Sequence, residues 1–581
     1  MRRSSIVASL LIIVAGTTAL ASVWHDSPIV DEIPHIGAGY SYVAGHTYKF
    51  NPEHPPLAKD VAGLALLPLH ISSSMLSGVF GNQWSPNSDG QWNFGRTLIY
   101  HSGTDPINII HSAKLPMIIF FVFSAILIFV WTKKMYGARS GLLALFLFAL
   151  SPTVIAHSRF VTTDVPALFG ILLATYFFTR YLNQRTTKNF WLASVAFGIA
   201  MLTKFSTFLL VPYFIVLAIA WAWAYEHHYF EASAKIIVKT VLIIATGFII
   251  IVAPVYQLHL INYPKNEQKS ETIRLIRNYQ SPAIAHSLIW ASDKPVLRPF
   301  AEYGLGLAMV SQRAEGGNRT YFLGKLSNDS FKSYFPVVFA LKEPTPFLIL
   351  LISAFGLGFI AWLNRRNSFK TEFKNNFQPF AMALWVFIYM VVSIRSNLNI
   401  GIRHLMPIYG FLYILVAGQF KNILGQLNFK KWPTIVVTIL CVWYAGEFVS
   451  VYPYYLTYFN EFAGGPSGGH RYVVDSNVDW GQDLWRLGDF VKENEITTIY
   501  SDYFGWADPT YYLGSTFNGI RGGRFTSKQS FLAENPNGGW LAISSTFYQE
   551  SGATDKSYAW LDKIKPKTII GNSILVWHIV P

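Results

Sequence analysis

The sequence predicts a polytopic α-helical membrane protein with a small α/β domain at its C-terminal end. Hydrophobic residues make up 52% of the 581 residues and charged residues only 13%, about half the charged share of an ordinary soluble domain. Within the hydrophobic share, aromatic residues account for 16% of the chain, which suits a membrane protein because Trp and Tyr are enriched where a membrane meets water. This composition excludes a disordered chain, a coiled coil and most purely soluble enzymes.

Apolar segments long enough to cross a bilayer, about 20 residues each, recur along the chain. The first runs from Ile6 to Val23 behind Arg2 and Arg3, and a cleaved signal peptide is the alternative interpretation of this segment. Further spans are predicted to start near Leu115, Gly141, Val165, Phe190, Phe205, Ile236, Pro346, Pro379, Leu405 and Thr434. The hydropathy pattern therefore predicts about eleven transmembrane helices.

The net charge of +14 would also suit a protein that binds nucleic acid, so the placement of the cations has to decide. Behind the N-terminal pair, Lys and Arg fall in alternate connections, at Lys133/Lys134/Arg139, Arg180/Arg185/Lys188, Lys235/Lys239, Arg365/Arg366/Lys370/Lys374 and Lys421/Lys430/Lys431. Short cation-rich loops stay in the cytoplasm. The N-terminus is therefore predicted to be cytoplasmic and the C-terminal end extracytoplasmic, and the charge needs no nucleic acid.

Two domains are predicted, a transmembrane domain over residues 1–451 with long outer loops at 24–114 and 257–345, and an extracytoplasmic α/β domain over residues 452–581. Long loops that are not mere connectors usually carry function. The tail is predicted to contain a helix over Gln482–Glu493 and strands at Ile496–Tyr500, Trp540–Ser544, Thr568–Ile570 and Ile574–Ile579. The single cysteine, Cys441, excludes a disulfide framework and a Cys-based metal site.

The first outer loop carries the first candidate residues. Asp31 and Glu32 follow the first span, where carboxylates stay wet, find a partner or perform a task. Solvated loop charges or a helix N-cap are the structural alternatives. Glu53 and His54 stand before two prolines. They could form a stiff corner of the loop, or they could be ligands of a divalent cation.

Further candidates follow later spans. Asp164 could cap the fourth helix, and it could instead pair with Arg159. Lys204, between two apolar segments, could extend to the interface or bind a phosphate. Arg403 offers another cation at the same level. Together, acids and cations at the outer helix ends suit a reaction in which a base activates a hydroxyl while cations hold an anionic leaving group.

Several short runs carry a family resemblance. They are Asp31-Glu32, Pro52-Glu53-His54-Pro55-Pro56-Leu57, Thr162-Thr163-Asp164-Val165-Pro166 and Leu202-Thr203-Lys204-Phe205. They resemble glycosyltransferase family 39, which includes the protein O-mannosyltransferases and the lipid A aminoarabinose transferase within the C-type glycosyltransferase superfamily. The segments from Asn399 to Pro407 and from Tyr458 to Asp483 resemble a bacterial branch of this family.

The resemblance implies the C-type glycosyltransferase fold, a polyprenyl-phosphate sugar as donor, and inversion of the anomeric carbon by direct displacement. By position it implies that Asp31, Glu32 and Asp164 are catalytic acids, with Asp31 as the base. Arg159 and Lys204 are implied at the donor phosphate, and Arg403 is expected to join them. Glu53, with His54 beside it, is implied at a divalent cation. His286 is a candidate for a further ligand. The C-terminal domain has no counterpart that can be mapped onto the protein mannosyltransferases.

The predicted function is that of a glycosyltransferase in the bacterial inner (plasma) membrane, with its active site outside the cytoplasm. Its expected partners are the bilayer, a polyprenyl-phosphate sugar, and a hydroxyl acceptor on a protein Ser/Thr, a glycolipid or a cell-surface glycan. No nucleic acid, nucleotide or organic cofactor is expected. The alternatives are a transporter or flippase of a lipid-linked glycan, which should place charge near mid-membrane, and a membrane-anchored glycan-binding protein. The tail is expected to tune the choice of acceptor and to take no part in the chemistry, because all the family-matching acids precede it.

Overall fold

The computed structural model describes residues 2–72, 74–75, 90–365, 367–425 and 431–581. Arg366 and Lys430, two of the cations assigned above to cytoplasmic connections, lie outside the described residues. Part of the predicted outer loop 24–114 does so as well.

Eight described helical segments are long and apolar enough to cross a membrane, so the chain is an integral membrane protein. They are Arg3–Ser22, Pro106–Tyr136, Asp164–Asn183, Phe205–Tyr225, Tyr229–His259, Thr345–Leu363, Phe377–Arg395 and Trp432–Ser450. A ninth candidate is the helix pair Ala138–Ala149 and Pro152–Ser158, which is bent by 63°. Proline cannot continue a helix without losing a hydrogen bond, and Pro152 opens the second helix of this pair.

Two of the eleven predicted spans are shorter than membrane length. They are the helices Thr187–Met201, with 15 residues, and Met406–Gln419, with 14 residues. Most of Met406–Gln419 is buried within the bundle. The eleven predicted positions are thus all helical in the described chain, and the prediction differs from the structure in the length of these two helices and in the bend of a third.

The remaining helices of the first 451 residues lie between the long ones along the chain. They are Glu32–Gly45, Leu57–Leu66, Gly90–Tyr100, Lys265–Ile276, Pro282–Ala291, Arg298–Gly316, Tyr334–Lys342, Phe369–Asn375 and Lys421–Gly425. Strands β1 (Thr320–Phe322) and β2 (Lys325–Ser327) form an antiparallel hairpin in the second outer loop. Glycine allows the first two of these helices to touch, because a Cβ on Gly39 would lie 2.2 Å from the Lys59 carbonyl oxygen.

The C-terminal part contains a mixed five-stranded sheet with the order β4-β3-β5-β7-β6. Its strands are β3 (Ile499–Asp502), β4 (Phe517–Gly519), β5 (Gly539–Ser544), β6 (Thr568–Ile570) and β7 (Ile574–Ile579). Its helices are Leu484–Glu493, Pro509–Leu513, Lys528–Glu534 and Ser545–Ala553. The predicted small α/β fold is confirmed. Strand β4 was not predicted, because three residues that end in glycine give no alternating pattern.

The bundle and the sheet are joined by a segment without long helices or strands. Tyr455, Phe459 and Trp480 of this segment belong to the hydrophobic core of the bundle, whereas the first core of the sheet domain begins at Leu484. The domain boundary at residue 452 stays a prediction. The cores themselves show that residues 455–480 pack with the membrane helices.

Candidate active site

Four of the predicted site residues meet at one end of the bundle. Arg403 Nη1 lies 2.6 Å from Asp31 Oδ2 and 3.8 Å from Asp164 Oδ2. Lys204 Nζ lies 2.6 Å from Asp164 Oδ1. We call these four side chains the charge cluster. They come from parts of the chain up to 372 residues apart, so only the fold brings them together.

The backbone around each member explains how the cluster forms. Asp31 precedes the helix Glu32–Gly45, but its side chain forms no capping hydrogen bond, so its carboxylate is not committed to the helix end. Asp164 opens a long helix, and Lys204 follows the end of another. Arg403 stands in a short 3₁₀ turn behind Gly401, whose φ of 122° favours glycine. The helix-cap alternative for Asp31 is therefore not what the structure shows.

Asp31 is the most accessible member of the charge cluster. Its side chain is 23% exposed, against 10% for Arg403 and 1% for Asp164. Burial raises the pKa of the Asp31 carboxyl, but the Arg403 guanidinium, together with His35 and Arg313, more than offsets this effect and holds the pKa below its usual value. Asp31 is therefore ionised at neutral pH. Among the described residues, Asp164 Oδ2 and Arg403 Nε are buried without a hydrogen-bond partner, so each could still bond to a ligand.

Glu32 points away from the charge cluster. Its two carboxylate oxygens accept hydrogen bonds from the backbone N–H groups of Ile29 and Val161, at 3.0 and 2.9 Å. Lys114 Nζ lies 3.1 Å from the same carboxylate, and both side chains are fully buried. Glu32 thus fastens the Asp31 loop to the loop that precedes Asp164.

Arg159 lies in a separate buried network. Its Nη1 lies 2.8 Å from Asp26 Oδ2 and donates to the Ser22 carbonyl oxygen at 2.7 Å. Arg486 lies 2.5 Å from both Asp26 and Asp483. The network joins the end of the first helix to the tail, and it does not include the charge cluster.

Glu53 and His54 lie near the charge cluster but do not form a metal site with it. Glu53 accepts a hydrogen bond from Gln91 at 3.2 Å and lines a cavity of about 270 Å³. The His54 ring packs edge-on against the His35 ring, with 5.2 Å between centroids. Burial and the neighbouring His35 lower the pKa of His54 well below its usual value. Across the described residues, no three His, Cys, Asp or Glu side chains are placed to hold a metal ion.

His286 belongs to the helix Pro282–Ala291 and is no part of such a group either. The divalent cation therefore stays a prediction, and no chemical step is assigned to it below.

The sequence analysis missed the part of the site that comes from the tail. The guanidinium carbon of Arg403 lies 4.1 Å from the centre of the Trp480 ring. Asn477 Oδ1 accepts a hydrogen bond from the backbone N–H of Ile402 at 3.0 Å. Asp475, whose φ is 56°, is close enough to Arg403 to affect its charge balance. The sequence did contain a signal for these residues, because Asp475, Asp479 and Asp483 recur every four residues. The sequence analysis had used this segment only as part of the family resemblance.

Comparison with known proteins supports the resemblance over part of the chain. Residues 108–256 match the model of a family described as dolichyl-phosphate-mannose-protein mannosyltransferase. Dolichyl-phosphate-mannose–protein mannosyltransferase 1 of Saccharomyces cerevisiae is 27% identical over 207 residues, which is 35% of this chain and 22% of the yeast protein. An uncharacterized protein of Aquifex aeolicus is 32% identical over 84 residues, 14% of this chain and 17% of that protein. The predicted resemblance is confirmed, and the aligned parts span about a fifth of these relatives.

A solved structure with a similar course of the chain is that of ArnT from Cupriavidus metallidurans bound to undecaprenyl phosphate. It matches with a TM-score of 0.45 and 12% sequence identity, over 98% of this chain and 98% of that chain.

Proposed function

We propose that this chain is an inverting glycosyltransferase that moves a sugar from a polyprenyl phosphate to an acceptor hydroxyl at the outer face of the membrane. The observation that carries the proposal is the charge cluster. It offers an ionised, partly exposed carboxylate, Asp31, paired with Arg403, and a second cation, Lys204, which pairs with Asp164 at the same end of the helix bundle. The family match over residues 108–256 supports a lipid-linked phosphosugar as the donor.

The proposed reaction is a single displacement. Asp31 accepts the proton of the acceptor hydroxyl, and the oxygen attacks the anomeric carbon from the side opposite the phosphate. The bond between that carbon and the phosphate oxygen breaks, and the electron pair leaves with the polyprenyl phosphate. Arg403 and Lys204 stabilise this anion, which is held in a site that excludes bulk water.

The ion pair with Arg403 makes Asp31 a weak base in the absence of donor. A bound phosphate would share the Arg403 guanidinium with Asp31, and its negative charge would raise the pKa of the Asp31 carboxyl. A good general base has a pKa closer to the operating pH. We therefore propose that donor binding itself activates Asp31, so that proton transfer and departure of the phosphate are coupled.

The other acidic and basic residues receive supporting roles. Asp164 holds both Lys204 and Arg403 within 4 Å, so it fixes the two cations at one point. Glu32 holds the Asp31 loop in place. Arg159, which the resemblance puts at the donor phosphate, is instead proposed to fasten the loop to the tail, because Asp26 already neutralises it.

The test is transfer by the purified full-length chain with Asp31→Asn. Asn keeps the shape of the side chain and removes its basicity, so turnover should fall about 10²–10⁴-fold. The assay measures the polyprenyl phosphate released from lipid-linked sugars of the host membrane, normalised to folded protein. Asp329→Asn, an exposed carboxylate in the second outer loop, is the matched control and should keep full turnover. Near-normal release by Asp31→Asn would overturn the assignment of the base.

A further inference from the structure

A second cavity lies where the second outer loop meets the tail. It has a volume of about 250 Å³ and opens between the β1–β2 hairpin and the helix Ser545–Ala553. We call it the hairpin cleft. The residues that line it are Tyr321, Gly324, Tyr548, Gln549, Gly552, Ala553, Tyr558, Ala559 and Asp562. None of them belongs to the charge cluster.

The polar groups of the hairpin cleft are held in fixed directions. The Tyr321 hydroxyl donates to Gln549 Oε1 at 2.9 Å, which leaves the NH₂ group of this amide as its donor end. The Tyr548 hydroxyl donates to Asp562 Oδ1, and the Tyr558 hydroxyl donates to Asp502 Oδ2, both at 2.5 Å. The cleft therefore presents an amide donor and carboxylate and phenol acceptors from side chains that already support one another.

Two glycines, Gly324 and Gly552, lie on the border of the hairpin cleft. A Cβ on Gly324 or on Gly552 would meet no atom within 4 Å, so the backbone itself borders free space at both positions. Gly324 also has a φ of 78°, a conformation that other residues rarely adopt. Glycine therefore suits the turn between β1 and β2, which forms one border of the cleft.

We propose that the hairpin cleft binds one sugar residue of a glycan. A sugar ring offers C–H groups that pack on aromatic rings, and hydroxyls around its edge that both donate and accept hydrogen bonds. Three tyrosines, one amide and one carboxylate match both features. The volume lies just below the range of about 300–1,000 Å³ for sites of drug-sized ligands, which suits a single ring better than an extended peptide.

The hairpin cleft is connected to the charge cluster through the helix Ser545–Ala553. The backbone N–H of Asp475 donates to Thr546 Oγ1 at 3.1 Å, and Thr546 lies on the same helix as Tyr548 and Gln549. At 1.5 Å per residue, Gln549 stands about 4.5 Å further along this helix. The segment that covers Arg403 therefore contacts the helix that lines the cleft. If the proposed function holds, the bound sugar belongs to the acceptor glycan.

Binding can be tested without catalysis, on the full-length chain in nanodiscs. The probes are methyl glycosides of glucose, galactose, mannose, arabinose and N-acetylglucosamine, followed by saturation-transfer difference NMR. At least one should give a saturable signal in the wild type and in Asp31→Asn. Gln549→Ala and Asp562→Ala should each weaken it about tenfold, the effect of losing one or two hydrogen bonds. Tyr511→Phe, an exposed tyrosine outside the cleft, should leave it unchanged.

Three outcomes would overturn the proposal. They are the absence of a signal with every glycoside, a signal that persists in Gln549→Ala and Asp562→Ala, and saturable cleft-dependent binding of a Ser/Thr-rich peptide without binding of any glycoside. Folding of each variant is checked by its melting temperature. Sugar binding and transfer are measured separately. Absence of sugar binding with transfer that depends on Asp31 refutes the cleft alone, and cleft-dependent sugar binding with normal transfer by Asp31→Asn refutes the proposed base alone.

Discussion

At the scale of single residues, the exposure of the paired cations distinguishes those that a ligand can reach from those that only stabilise the fold. Arg403 and Lys204 are paired with carboxylates and keep 10% and 11% of their side chains exposed. Arg159 is 2% exposed and its partner Asp26 is 1% exposed. A ligand can reach the first two cations, whereas Arg159 is enclosed by its own network. The residue types were predictable from the sequence, but this difference depends on partners that lie far away along the chain.

A pair of substitutions tests this separation. Arg159→Gln leaves Asp26 buried without one of its cations, and breaking a buried pair in this way costs about 3–5 kcal/mol. We expect a lower melting temperature and nearly normal turnover per folded molecule. Lys204→Gln should instead weaken donor binding and slow turnover, with a smaller effect on melting. Thermal unfolding in detergent, measured beside transfer at several donor concentrations, compares the two. Loss of donor affinity in Arg159→Gln at unchanged melting temperature would return Arg159 to the phosphate site.

Asp475 gives the site a pH dependence. Burial raises the pKa of Asp475 to about 6, although the Arg403 guanidinium acts in the opposite direction. Below pH 6 the carboxyl is protonated, and Arg403 then faces one negative charge fewer and binds Asp31 more tightly. Turnover should therefore fall as the pH drops from 7 to 5. In Asp475→Asn the group cannot titrate, so this fall should disappear. The same fall in both proteins, measured as turnover against pH, would assign it to another group.

At the scale of elements, the segment from Asp475 to Trp480 changes the expectation for the tail. The sequence analysis expected the tail only to select the acceptor. In the structure, Asn477 connects the Arg403 turn to the second outer loop, because its Oδ1 accepts from Ile402 and its Nδ2 donates to Tyr334 at 2.9 Å. The tail therefore forms part of the wall of the charge cluster.

Asn477→Ala tests whether this connection matters. The Ile402 N–H and the Tyr334 hydroxyl would both lose a buried partner, and the Arg403 turn would no longer be fixed. We expect turnover to fall by at least tenfold in the protein that folds, because each lost partner costs about 1–3 kcal/mol. Asn494→Ala, whose exposed amide only bonds to its own helix, is the matched control. Unchanged turnover in folded Asn477→Ala would restore the view that the tail serves the acceptor alone.

Local patterns predict elements well where one signal dominates. Apolar runs located all eleven helical positions, since a segment that crosses lipid must be apolar and must form its backbone hydrogen bonds internally. Hydropathy did not predict the short lengths of Thr187–Met201 and Met406–Gln419. Most of Met406–Gln419 is buried within the bundle, and a helix enclosed by other helices need not cover the full hydrocarbon layer. In the tail, strands β5, β6 and β7 were predicted nearly to the residue. Edge strand β4 was missed because Phe517-Asn518-Gly519 lacks the apolar run that marks the equally short strand β6.

At the scale of the whole molecule, the distribution of charge favours an enzyme over a transporter. A transporter places its binding site near mid-membrane, between broken helices. Here the members of the charge cluster stand at helix ends: Asp164 opens one long helix, and Lys204 lies just before another. The long outer loops and the tail meet at this same end, where Lys342 donates to carbonyl oxygens of Leu456 and Asn477. One end of the bundle therefore carries the candidate chemistry.

The proposed mechanism requires that this end faces away from the cytoplasm. The short connections at the other end carry most of the Lys and Arg clusters, which predicts a cytoplasmic location for them. In a Cys441→Ser background, which removes the single cysteine, Asp329→Cys should react with a membrane-impermeant maleimide on intact cells. Gln184→Cys, at the end of the helix Asp164–Asn183, should react only after the membrane is permeabilised. Both positions suit a probe, because Asp329 and Gln184 are exposed. Labelling in the reverse order would place Asp31 at the cytoplasmic face of the membrane. Nucleotide sugars are available there, so the argument for a lipid-linked donor would fail.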